Sequence, residues 1–179
     1  MNSNYLIIDL EATCCNQGTI KREEMETIEI GAVMVDAKSL EIVDEYEIFI
    51  RPILNPTLTD FCKELTTIRQ ADVDRALGYR EAIDDFKEWF SQYDDFLFCS
   101  WGDYDKNQFK RDCKLHRIEY PFNREHLNIK KKFAKVQGIR PCGLDEALKV
   151  VDLRLIGTHH RGIDDARNMG RLMPYIVKR

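Results

Sequence analysis

Tyr5-Leu6-Ile7-Ile8-Asp9-Leu10-Glu11-Ala12-Thr13 is the stretch from which the fold is read. Its first half is apolar and suits a pleated, buried strand, and it runs without a break into two carboxylates. Residues two apart on a strand share a face, so Asp9 and Glu11 are expected side by side. Neighbouring carboxylates repel unless a cation or a proton lies between them. A hard cation such as Mg²⁺ uses few carboxylates and completes its shell with water and phosphate oxygens. Two acids solvated at a strand end would give the same string, so the motif alone leaves both readings open.

Downstream, residues 14–24 are polar, contain Gly18 and read as a loop. Residues 27–35 and 42–50 read as a second and third strand, the latter stopped by Arg51-Pro52. Helical periodicity then takes over at residues 59–68, 70–76 and 80–92, the last with Ile83, Phe86, Trp89 and Phe90 on one face. A fourth strand at 96–101 is followed by helices at 105–116, around Lys130, Lys131, Lys132 and Lys135, and at 143–151 and 164–176. Strands first, then a helix-rich half holding one more strand, predict an α/β fold with a mixed sheet flanked by helices. The 179 residues suit one domain over 1–179.

Composition bounds the function. With 27 Lys+Arg against 31 Asp+Glu the net charge is −4, and proteins that wrap nucleic acid usually carry a basic excess. The start, Met1-Asn2-Ser3-Asn4-Tyr5, has none of the parts of a signal peptide, and no apolar run approaches the ~18 residues of a membrane span. A cytoplasmic protein with no membrane partner is expected. Cys14, Cys15, Cys62, Cys99, Cys113 and Cys142 show neither a C-x-x-C pair nor zinc-site spacing, which predicts reduced thiols.

Two further segments carry acids. In Ser100-Trp101-Gly102-Asp103-Tyr104-Asp105-Lys106-Asn107-Gln108-Phe109, a strand runs into a helix start, where Asp103 reads as the cap and Asp105 as a first-turn acid favoured by the dipole. In Thr158-His159-His160-Arg161-Gly162-Ile163-Asp164-Asp165, Asp164 reads as the N-cap, and Gly162 leaves His160 on a loop before the helix. Two adjacent histidines without a third nitrogen or sulfur make a poor zinc site.

As a set, D-x-E at Asp9/Glu11, a distant Asp105 and H-x-x-x-x-D at His160/Asp165 resemble the signature of the DEDDh 3′–5′ exonucleases. The strings DLEATCC, LTDFCKELTTI, SWGDYDKNQF and HHRGIDDARNMGRL look closest to the Eri-like branch, which includes the histone-mRNA 3′ exonuclease and the bacterial KapD-type proteins. The resemblance runs from residue 5 to about residue 172. It implies a ribonuclease H-like mixed sheet with helices on both faces. It selects Asp105 over Asp103, and the flanking text selects His160/Asp165 over His159/Asp164, which has the same spacing.

The resemblance also implies a chemistry. Two divalent ions, Mg²⁺ or Mn²⁺, are expected on Asp9, Glu11, Asp105 and Asp165, with His160 as general base. The expected substrate is the 3′ end of single-stranded RNA or DNA, RNA favoured, and the expected product is a nucleoside 5′-monophosphate. Glu11, Ala12 and Thr13 are expected at the terminal nucleotide, Phe61 stacked on a base, and Arg161 beside His160 at a phosphate. Lys130, Lys131 and Lys132 either track phosphates or form a solvated face. Leu65-Thr66-Thr67-Ile68 departs from the family's usual Leu-Thr-Gly-Ile. A nuclease acting mainly on single-stranded DNA, and a non-catalytic RNA-binding protein of the same fold, stay open as alternatives. The four expected ligands account for a charge of −4, so the rest of the chain sums to zero.

Overall fold

A computed structural model describes residues 3–122 and 125–177. The opening stretch forms strand β1 (Asn4–Ala12), buried on both faces, which explains its unbroken apolar run. Leu6, Ile8 and Leu10 point to one layer of core and Ile7 to the other, so Asp9 and Glu11 inherit the Ile7 face. Strands β2 (Thr27–Asp36) and β3 (Ile42–Phe49) continue antiparallel on one side of β1, while β4 (Phe96–Ser100) lies parallel to it on the other.

A fifth strand, β5 (His126–Asn128), pairs parallel with β4 and completes the order β3-β2-β1-β4-β5. This strand is absent from the sequence reading because it has three residues and no alternation. Its ladder with β4 defines it, and Asn128 at once starts the next helix by accepting the N–H of Lys131.

Helices α1 (Asp60–Thr66), α2 (Gln70–Asp74), α3 (Tyr79–Phe90) and α4 (Tyr104–His116) lie between β3 and β5 in the chain, and α5 (Ile129–Gln137), α6 (Leu144–Val150) and α7 (Gly162–Ile176) follow. One layer packs α3 and α4 on the sheet through Phe86, Phe90, Phe98, Phe109 and Phe122; the other packs α5, α6 and α7 through Phe133, Leu148, Met169 and Met173. The mixed sheet between two helical layers is the predicted architecture. All six cysteines are free. Among the described residues no helix is long and apolar enough to cross a membrane.

One capping expectation fails, and the other holds for position without a side-chain bond. Helix α7 begins at Gly162 with Arg161 at its cap, so Asp164 sits in the first turn; its carboxylate accepts the N–H of Thr158 instead. The cap of α7 comes from across the sheet, where Glu29 of β2 accepts from the N–H of Ile163 at 3.3 Å. Asp103 does occupy the cap position of α4, but its side chain caps nothing. It is drawn to Lys106, Asn128 and Lys131 at 3.2, 3.0 and 3.1 Å.

Candidate active site

The carboxyl ends of β1 and β4, two parallel neighbours whose connections leave in opposite directions, are where an α/β sheet opens a crevice. A cleft of about 470 Å³ lies there, lined by Asp9, Glu11, Asp105, His159, His160 and Asp165 among others. Three separate segments converge. Asp9 and Glu11 come from β1, opposite Gly31 and Glu29 of β2, and a register shift follows Glu11. Asp105 comes from the first turn of α4, where its Oδ1 accepts the N–H of Leu10 at 3.1 Å, tying the second acid to the first strand. Asp165 comes from the first turn of α7.

Glycine makes the last approach feasible. A Cβ on Gly31 would meet the backbone carbon of Gly162 and the nitrogen of Ile163 at 2.0 Å, and one on Gly162 would meet the carbonyl oxygen of Asp9 at 3.0 Å. Helix α7 therefore enters flush against β1 and β2. Carboxylate oxygens of Asp9, Glu11 and Asp165 come within 4.8 Å of one another. Glu11, Asp105 and Asp165 are 8, 4 and 4% exposed.

Both histidines address Asp165. The ring Nδ1 of His159 lies 3.0 and 3.1 Å from its two oxygens, and the backbone N–H of His160 donates to Oδ2 at 3.0 Å. His160 adopts a left-handed conformation, φ 64°, to make that bond, and backbone strain of this kind is characteristic of functional sites. The two imidazoles stack with centroids 4.0 Å apart. Burial, reinforced by His159 and opposed by Asp165, holds the His160 imidazole below its ordinary range.

The electrostatics are those of an uncompensated acid cluster. Burial, then Asp105, Glu11, Asp165 and Glu29, push the Asp9 carboxyl well above the carboxylate range. Burial, then Glu29, Asp165 and Asp105, do the same to Glu11. Burial raises Asp105 to about 6 and Glu29 to about 7, the latter opposed by Arg161. No lysine or arginine among the described residues lines the cleft. Among the described residues, the carboxylates of Asp9 and Glu11 accept no hydrogen bond. A donor set of carboxylates with imidazole at its edge fits hard divalent cations.

The other expected residues divide between the cleft and its surroundings. Ala12 lines the cleft, but Thr13 lies behind it, 1% exposed, with its hydroxyl accepting the N–H of Glu26 at 3.0 Å. Phe61 borders a separate hollow with Cys15, Asn16 and Thr19; it is Leu65, one turn further along α1, that reaches the cleft. Arg161 turns to the sheet flank, where it pairs with Glu29 at 3.2 Å and Glu47 at 2.6 Å. Lys131 is held by Asp103 at 3.1 Å.

Sequence reasoning missed Glu29, Leu65, Met25 and Tyr104, all at or beside the cleft, and set His159 aside both as a zinc ligand and as the partner of the final acid. Tyr104 carried a usable signal, an aromatic immediately before Asp105. Glu29 carried none, because cross-strand register alone brings it to Glu11.

A family model described as Exonuclease matches residues 6–173. The 3′-5′ exonuclease Snipper of Drosophila melanogaster is 32% identical over 197 residues, covering 98% of this chain and 70% of its own length. The 3′-5′ exoribonuclease 1 of Rattus norvegicus is 31% identical over 175 residues; the match covers 93% of this chain but spans only 50% of that protein. Among solved structures, the nuclease domain of 3′hExo, described as a DEDDh family member bound to rAMP, is similar with a TM-score of 0.88 and 29% identity, covering 96% of this chain and 90% of that one. With the family model spanning most of the sequence and the fold and acids arranged as described, this chain belongs to the DEDDh family of 3′–5′ exonucleases.

Proposed function

We propose that the chain forms one exonuclease domain that removes nucleotides from the 3′ end of single-stranded nucleic acid, RNA in preference to DNA, releasing nucleoside 5′-monophosphates. The observation that carries this reading is the convergence of four carboxylates from β1, α4 and α7 in a cleft that no lysine or arginine lines among the described residues. Two divalent cations, Mg²⁺ or Mn²⁺, held by Asp9, Glu11, Asp105 and Asp165, would supply charge stabilisation for the phosphoryl transition state and an acidified water.

The chain's own groups do the rest. His160, kept neutral near pH 7 by its surroundings, accepts the proton of the attacking water. His159 and the His160 N–H fix the orientation of Asp165. Glu11 and the backbone at Ala12, both at the cleft wall, meet the terminal 3′-hydroxyl, which confines cleavage to chain ends. Leu65, Met25, Tyr104 and Trp101 give apolar faces on which a base of any identity can pack. The preference for RNA rests on relatives named exoribonucleases. Six free thiols agree with a cytoplasmic setting.

Digestion of matched 5′-labelled RNA and DNA oligonucleotides, with Mg²⁺, with Mn²⁺ and with chelator, tests the reading. The expected result is a ladder shortening from the 3′ end only with a divalent ion, faster on RNA, with mononucleotide 5′-phosphates recovered. Internal cuts, or no shortening of either strand, would contradict it. Faster loss of DNA would move the preference to the other sugar.

A further inference from the structure

Beside the acid cleft two arginines converge on one ring. The guanidinium carbon of Arg22, on a 3-10 turn at Arg22–Glu24, lies 6.0 Å from the centroid of Tyr104, and that of Arg111 lies 5.8 Å from it. Sequence distance hides the meeting. Arg111 is seven residues after Tyr104 on α4, and helical side chains lean back toward the N-terminus. The 22–27 segment is stapled to the same helix face, with Gln108 donating to the carbonyl of Met25 at 2.8 Å and Asp112 accepting from the Thr27 hydroxyl at 2.6 Å.

Other cations near the site are already engaged. Lys106 and Lys131 are paired with Asp103, Arg161 with Glu29 and Glu47, and Arg167 with Glu45 and Asp164. Arg22 is exposed and, among the described residues, has no carboxylate partner. Among the described residues, Arg111 donates only to the side-chain oxygen of Gln108, and its buried Nε–H has no acceptor. With Arg22 and Arg111 at 6.0 and 5.8 Å from the same ring centroid, and most of their ten N–H donors without an acceptor among the described residues, the surroundings of Tyr104 have room for an anion.

Resting on the exonuclease reading, we propose that Arg22 and Arg111 form a binding site for a phosphodiester of the substrate strand upstream of the bond being cut. The terminal nucleotide brings only the scissile phosphate, which belongs to the carboxylate cleft, so a phosphate at Tyr104's arginines is an internal one. The forked guanidinium suits the two free oxygens of a phosphodiester. A grip of this kind also answers the neutral charge balance outside the cleft: the strand is held over a short length near its end, without a broad basic surface.

The test pairs two substrates, an RNA oligonucleotide and a nucleoside 5′-phosphate p-nitrophenyl ester, which has a scissile phosphate but no upstream one. In Arg22→Gln/Arg111→Gln, the ratio of oligonucleotide to ester kcat/KM should fall ~10-fold or more, carried by KM. The slope of log affinity against log salt for the oligonucleotide should flatten by ~0.7 for each phosphate the variant no longer holds. Arg111→Lys, which keeps the charge and loses the fork, should lie between. An unchanged ratio and salt slope would overturn the site. Equal losses on both substrates would show that the arginines act through the fold and would overturn it too. A wild-type protein that turns over neither substrate would instead overturn the exonuclease reading itself.

Discussion

Glu26 and Asp112 are as buried as the acids of the cleft, yet they behave as parts of the scaffold. Glu26, 2% exposed, accepts the backbone N–H groups of Ile53, Leu54 and Asn55 at 2.7, 2.7 and 2.8 Å and so fixes the loop after β3. Asp112, 1% exposed, accepts from the hydroxyl and N–H of Thr27 and from Gln108. Asp9 and Glu11 have no such donors among the described residues; they face Asp105, Asp165 and Glu29. The difference lies in the partners and owes little to burial. An acid whose oxygens are filled by the chain holds the chain together, and an acid surrounded by other acids waits for a positive charge from outside.

The comparison breaks most visibly in turnover. Asp9→Asn or Asp165→Asn is expected to lower kcat by ~10³-fold or more, the scale of losing a preorganised charge stabiliser, while Asp112→Asn changes kcat only a few-fold; steady-state rates on labelled RNA separate the two groups. Next in size is the response to cations. At 100 times its dissociation constant, each bound Mn²⁺ should stabilise the fold by ~2.7 kcal/mol, raising Tm by roughly 5–10 °C. Asp9→Asn should lose most of that shift and Asp112→Asn should keep it.

The pH dependence follows from the raised carboxyls. Asp105, at about 6, and Glu29, at about 7, stand above their unfolded values of about 4, so their contribution is fully present below pH 4 and is lost as pH rises through 6 to 7. Chelated protein should therefore be less stable at pH 8 than at pH 5, by on the order of 2 kcal/mol per group, and saturating Mg²⁺ should flatten or reverse that trend. Urea titrations at the two pH values read this directly. On the scaffold side, Glu26→Ala leaves three N–H groups without an acceptor and should cost ~1–3 kcal/mol with no change in the cation response.

The smallest effect concerns Thr67, which ends α1 in a left-handed conformation, φ 60°, that favours glycine. Thr67→Gly should stabilise by ~1 kcal/mol in thermal unfolding and leave turnover unchanged.

How much of this was legible follows the same division. Strand β1 could be read because burial on both faces leaves a continuous apolar run, and its period of two already put Asp9 with Glu11. Asp105, His160 and Asp165 were legible as a spacing shared with a family, without any view of what joins them. Properties set by long-range register were not legible: β5 exists only as a partner of β4, and Glu29 meets Glu11 only across the sheet. The side-chain surroundings of Arg161 and Phe61 were hidden for a related reason. Adjacency to a motif fixes where a backbone passes, whereas the start of α7 at Gly162 sends the Arg161 side chain to Glu29 and Glu47, and one helical turn puts Leu65 where Phe61 was expected.

The central claim is that the cleft acids are completed by cations and the scaffold acids by the chain. Counting Mn²⁺ bound per chain by calorimetry, in wild type, Asp9→Asn and Asp112→Asn at neutral pH, tests it most directly. The account predicts two ions in wild type and in Asp112→Asn, and loss of binding in Asp9→Asn. Wild-type protein that binds no Mn²⁺, or Asp9→Asn that binds it as wild type does, would contradict it.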